Sequence, residues 1–188
     1  GIAKNGWKPI LAMWSPFVQR TYDQLSHDLA LNSNPATILI AFNWIWPGDA
    51  THNAIYDISM ISNIPNIVYL APTTKEEYLA MLDWSVDQTK HPVVIRIPSW
   101  TMLVSWVEDK TDYNILNKFE LTNIWSEVAI IWLGSFYHLG KKVKELIDKE
   151  LNINATLINP KFASWIDKEM LEWLKKNNKV VITLEEGS

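Results

Sequence analysis

The chain has 188 residues, 48% hydrophobic and 20% charged, enough apolar content for one good core or two small ones and too much for a disordered segment. The formal net charge of −4, with Lys and Arg spread along the chain, leaves no footprint for nucleic acid. There is no cysteine, so disulfides, thiolate-zinc sites and thiol nucleophiles are excluded together. No apolar run approaches the roughly 20 residues that span a bilayer, and the start at Gly1 carries no signal-peptide pattern; the expectation is a cytoplasmic protein without membrane contact. Eleven Trp against six Gly inverts the usual ranking.

In chain order, short apolar runs rich in β-branched residues alternate with segments of helical period, the pattern of βαβ units around parallel sheets. A buried strand is predicted over 8–13, then a helix over 17–31 with Val18, Tyr22, Leu25 and Leu29 on one face. A strand follows over 36–42, and a loop over 43–56 carries Pro47, Gly48 and Asp49. Asp57 would cap a short helix. A third strand is predicted over 66–70, a helix beginning at Pro72 with Thr73 and Glu76 as a capping box, and a fourth strand over 92–97. Between 99 and 125 the periodicity weakens and a linker is expected. Beyond it come a strand (127–133), a helix (137–150), a strand (155–158), a helix (167–176) and a strand (179–184), a thin domain of three strands and two helices. The expected fold is α/β, with two doubly wound, mostly parallel-sheet units: residues 1–98 and 126–188.

Ligands of such sheets sit beyond the carboxyl ends of the strands. That rule gathers Trp14, Phe17 and Arg20 after the first strand, Asp49 and His52 after the second, and Ser99 and Trp100 after the fourth. An aromatic surface, a cation and an imidazole can hold a flat heterocycle and an anionic group. Each residue also has a plainer role: Phe17 in the core, Arg20 paired with Asp23, His52 hydrogen-bonded to Asp49. His27, His91 and His138 show no metal-ligand spacing, and no Gly-rich phosphate loop, nucleophile elbow or zinc-protease motif is present.

The run Phe17-Val18-Gln19-Arg20-Thr21-Tyr22-Asp23-Gln24 resembles a segment of the transketolase superfamily, closest to the 1-deoxy-D-xylulose-5-phosphate synthases. Ala3-Lys4-Asn5-Gly6, Asp49-Ala50-Thr51-His52, Ile64-Pro65-Asn66, Arg96-Ile97-Pro98, Leu133-Gly134-Ser135 and Leu184-Glu185-Glu186-Gly187 continue the resemblance in order. It implies the C-terminal half of such an enzyme: a pyrimidine-binding domain, then part of a transketolase C-terminal domain. The family's cofactor is thiamine diphosphate with Mg2+, its metal ligands lie on an N-terminal domain, and its members are homodimers that join pyruvate to glyceraldehyde 3-phosphate with loss of carbon dioxide. By resemblance Phe17 would stack on the aminopyrimidine, Arg20 would bind the acceptor phosphate, His52 would act beside the reacting carbon, and Trp14 and Asp49 would contact substrate. The family's activating glutamate belongs to a segment before residue 1. Two further phosphate-binding arginines have no counterpart, one near Ala41-Phe42-Asn43 and one near Ser99-Trp100. Trp7, Trp100, Trp125 and Trp165 fall where related sequences carry glycine, and Trp44 and Trp46 occupy a loop that is usually small and polar. These departures leave open a catalytically silent relative that keeps the fold for binding or assembly, with a tryptophan-filled crevice. A pyruvate dehydrogenase-like activity is disfavoured by Gln19-Arg20.

Overall fold

A computed structural model describes residues 1–41, 51–98, 102–123 and 127–185. It contains two four-stranded sheets, and the first is parallel throughout. β1 (Ile10–Trp14), β2 (Thr37–Ala41), β3 (Val68–Leu70) and β4 (Val93–Arg96) are arranged in the order β1-β2-β4-β3. Strand alternation sorts the side chains onto two faces. Ile38, Ile40, Tyr69 and Val94 pack with Val18 and Leu25 from the helical segments after β1, with Ile61 of α2 (Asp57–Ser62) and with Ile64 just beyond it. Val68, Leu70, Val93 and Ile95 point the other way, onto Met81 of α3 (Lys75–Asp87), Tyr113 and Phe162.

The second sheet has the order β5-β7-β6-β8. β5 (Glu120–Asn123) runs antiparallel to β7 (Thr156–Asn159), while β6 (Val128–Trp132) pairs in parallel with both β7 and β8 (Val180–Leu184). One face, with Ile130, Trp132 and Leu157, packs on Val143 and Ile147 of α4 (Tyr137–Leu151). The other, with Ala129 and Ile158, packs on Met170 and Leu174 of α5 (Lys168–Asn177). The doubly wound α/β architecture read from the alternating pattern is therefore present in both units.

Several local expectations are corrected. β1 is not buried: Ile10 and Leu11 are about half exposed (51% and 54%), because β1 is the edge strand and has only β2 beside it. The expected regular helix over 17–31 is α1 (Ser15–Val18), a 3-10 turn (Gln19–Thr21) and a π-helix (Gln24–Leu31). In the π segment Leu25 and Ala30 are buried, five residues apart as its wider turn requires, and Tyr22 turns outward. The helix cap lies one residue later than expected. Thr74 is the N-cap, accepting a hydrogen bond from the Glu77 amide at 3.2 Å, while the Glu77 carboxylate accepts from the Thr73 amide and hydroxyl at 2.7 and 2.8 Å. The stretch 99–125 contributes β5, so the second sheet has four strands instead of three.

The two units are zipped together along β3. Within the loop after β7, the Ala71 amide donates to the Lys161 carbonyl (2.8 Å), the Ala163 amide to the Tyr69 carbonyl (2.7 Å), and Leu70 and Phe162 form an antiparallel bridge. The Tyr69 amide also donates to Ser164 Oγ at 2.9 Å. Lys161 lies under this strap, almost fully buried, with Nζ 3.0 Å from Asp109, 2.7 Å from Glu120 and 3.5 Å from Glu77. Asn159 donates to the same oxygen of Glu77, Oε1, at 2.8 Å. Among the described residues no helix is long and apolar enough to cross a membrane.

Candidate functional site

At the carboxyl edge of the first sheet, β1 ends at Trp14 and the chain turns directly into α1, whose Pro16 suits a first helical turn. The abrupt strand-to-helix turn sets two aromatic rings side by side. Trp14 and Phe17 are stacked with centroids 6.0 Å apart and planes 10° from parallel. The His52 imidazole meets the Phe17 ring edge-on, at 5.7 Å and 84°. Phe17 is 40% exposed, whereas its neighbour Val18 is fully buried, so the core role for Phe17 does not apply. Its ring stands on the rim of the sheet's carboxyl edge, with aromatic surface open to a flat partner.

Arg20 lies three residues further on, exposed on the 3-10 turn. The ion pair with Asp23 does not form, because Asp23 is engaged by His27 Nδ1 at 2.7 Å. Arg20 makes no ion pair among the described residues, which leaves an exposed, forked cation on the turn that follows α1. His52 Nδ1 lies 3.0 Å from Thr51 Oγ1. Asp49, with Trp44, Trp46, Ser99 and Trp100, lies outside the described residues. Of the seven residues gathered at this edge by the sequence, Trp14, Phe17 and His52 are thus brought into contact, and Arg20 follows three residues after Phe17.

Beneath this rim is a buried polar group that the sequence did not single out. Asp57, the first residue of α2, does not cap that helix; Tyr56 holds the N-cap position. Asp57 instead points inward, where its Oδ2 accepts from Arg96 Nε at 2.7 Å and from the Tyr69 hydroxyl at 2.8 Å. The pair is 3% and 0% exposed, and Asp57 Oδ1 has no hydrogen-bond partner. Burial, with the Asp57 carboxylate beside it, pushes the Tyr69 hydroxyl well above its usual range, so it remains a donor. The available signal was Arg96 inside the apolar run Val93-Val94-Ile95-Arg96-Ile97: a cation in a buried strand requires an anion facing it.

Among the described residues no group of three or more His, Asp or Glu side chains could hold a metal ion. Among the described residues the site presents stacking surface, an imidazole and a guanidinium.

Residues 1–100 match the family model described as transketolase, pyrimidine binding domain. The chain belongs to this family. It is 35% identical, over its entire length, to the 1-deoxy-D-xylulose-5-phosphate synthase of Lachnoclostridium phytofermentans, and 31% identical to that of a Synechococcus strain. It spans 30% and 29% of those two proteins, nearer a third of their length than a half. Among solved structures, a split-gene transketolase described as an inactive beta4 tetramer superposes with a TM-score of 0.77 at 20% identity, covering 98% of this chain and 59% of that one. A transketolase mutant from Pichia stipitis superposes at 0.76 and 15% identity, over 94% of this chain and 26% of the other. At these identities the two structures establish the shared fold.

Proposed function

We propose that the chain is a segment of a thiamine-diphosphate-dependent transferase of the 1-deoxy-D-xylulose-5-phosphate synthase type, supplying the pyrimidine and acceptor-phosphate side of its site. The observation that carries this is the Trp14–Phe17–His52 cluster on the carboxyl edge of a parallel sheet, with Phe17 partly exposed. The residues present fit the flat end of the cofactor: Phe17 offers a ring to stack on, worth about 0.5–1.5 kcal/mol beyond area burial. Arg20 would clamp the phosphate of glyceraldehyde 3-phosphate. His52, edge-on to Phe17, would donate or accept a proton near the reacting carbon. Trp14 would wall the substrate side, and Asp49 would complete it.

When bound, thiamine diphosphate supplies the carbanion chemistry that decarboxylates pyruvate and joins the remainder to the acceptor. The Mg2+ and diphosphate ligands would come from a separate N-terminal domain, with the site completed in a homodimer. The exposed apolar edge around Trp7, Ile10, Leu11 and Trp14 supports such an assembly. The domain division proposed is 1–98, 99–125 and 126–188, and the location cytoplasmic. The silent, assembly-only reading rests on the two missing phosphate arginines and on Trp44, Trp46 and Trp100.

Combining this chain with a separately produced N-terminal portion of a relative, thiamine diphosphate and Mg2+ should give pyruvate consumption that depends on glyceraldehyde 3-phosphate. A verified complex that shows no turnover would rule out the enzyme reading and leave the silent one.

A further inference from the structure

We propose that Asp57 is a positioning residue for the pocket: by gathering Tyr69 and Arg96 on one carboxylate oxygen, it fixes the start of α2 and so places the His52 imidazole against Phe17. This rests on the proposal above only in treating His52 as a pocket residue. Among the anchors of the chain leaving His52 are the buried Ala54 and, three residues on, Asp57 at the start of α2. Asp57 is the stronger, because its side chain is wholly enclosed and bonded to two different strands, β3 through Tyr69 and β4 through Arg96.

Stability alone is a poor reason for this arrangement. Buried ion pairs recover little more than their desolvation cost, and here the carboxylate is incompletely satisfied, with Oδ1 lacking a partner. What the group does provide is direction. A charge held by a guanidinium Nε and a phenol on neighbouring strands has one low-energy orientation, and α2 starts from it. Tyr69 extends the constraint further. Its hydroxyl binds Asp57, while its backbone binds Ala163 and Ser164 of the strap from the second unit. Tyr69 thus links the strap of the second unit to the Asp57 carboxylate.

The test uses the free chain, labelled with 13C and 15N at histidine, with His52→Gln to assign the His52 ring signals. Asp57→Asn and Tyr69→Phe are each expected to move the His52 ring resonances toward those of a solvent-exposed imidazole, as the edge-on contact with Phe17 is lost. Melting midpoints would also fall, but a purely structural role predicts that fall alone. Folded variants whose His52 signals superimpose on those of the unsubstituted chain would overturn the proposal. If Asp57→Asn does not fold, Tyr69→Phe decides, since it removes one hydroxyl and keeps the ring. Failure of Tyr69→Phe to fold would also overturn the proposal, because the bond would then serve the core. The signal is read without cofactor or substrate, so an inactive assembled complex and an unmoved His52 are separate outcomes.

Discussion

Phe17 and Trp165 show how a single position can be set against its local rule. Phe17 begins an amphipathic segment, yet its ring is left on the rim while Val18 takes the core position beside it. In the assembled complex, Phe17→Ala should weaken thiamine diphosphate binding by about tenfold with little change in the melting midpoint, measured by calorimetric titration and thermal unfolding. Trp165 breaks a different rule, for it sits at φ +69° and is 56% exposed, in a backbone region that favours glycine. Trp165→Gly should relieve about 1 kcal/mol of strain and raise the melting midpoint by about 2–4 °C; a lower midpoint would mean that its indole contributes more by covering the cleft it lines with Ile58, Phe119 and Leu171 than its backbone loses. Both rim aromatics were legible in the sequence because the position of a residue after a parallel strand is a topological fact. The Asp57–Tyr69–Arg96 group was not. Its members are 12 and 39 residues apart, and nothing local to Asp57 distinguishes an inward carboxylate from a helix cap.

At the scale of elements, α4 shows packing overruling propensity. A Cβ added at Gly140 would lie 2.9 Å from Cε3 of Trp132, whose indole is fully buried in the second sheet. Replacing a mid-helix glycine by alanine ordinarily gains up to about 1 kcal/mol. Here Gly140→Ala should instead lower stability in a chemical denaturation series, since neither the helix nor the indole has room to retreat. The strands and helices of both units were readable from periodicity to within a few residues at their ends. β5 was missed because Glu120-Leu121-Thr122-Asn123 is short, mixed in polarity and antiparallel at an edge, and so leaves no alternation long enough to detect. The π-helix was missed for a related reason: a 3.6-residue template reads Val18, Leu25 and Leu29 as one face and cannot register a turn that widens part-way along.

Across the whole molecule, a buried cation, Lys161, stands at the contact between the units. Burial alone would lower the Lys161 ammonium, but Glu77, Glu120 and Asp109 outweigh it and hold its pKa above the usual lysine value. Glu77 is raised by its own burial, offset in part by Lys161. Lys161→Met would strand these carboxylates and should cost about 3–5 kcal/mol. The Glu77 contribution to the pH dependence should then grow while keeping its sign. With Glu77 raised further, the folded variant binds a proton that the unfolded chain releases above the ordinary value of 4.5, so its stability should increase as pH is lowered from neutral toward that value. Urea midpoints of the variant between pH 7 and 5 check this; a midpoint that falls on acidification would show that Glu77 is not the group left exposed. None of this was visible in the sequence, where Lys161 is one lysine among many. The strap over Lys161 also limits how the protein can be taken apart. Residues 160–164 occupy the outer side of β3, so a fragment ending at residue 125 would present Val68–Leu70 as a bare edge with unpaired amides and carbonyls. Such a fragment should associate with itself more steeply with concentration than the full chain does, in sedimentation velocity. The pyrimidine-binding portion is a domain by descent, but its last strand is finished by the unit that follows it.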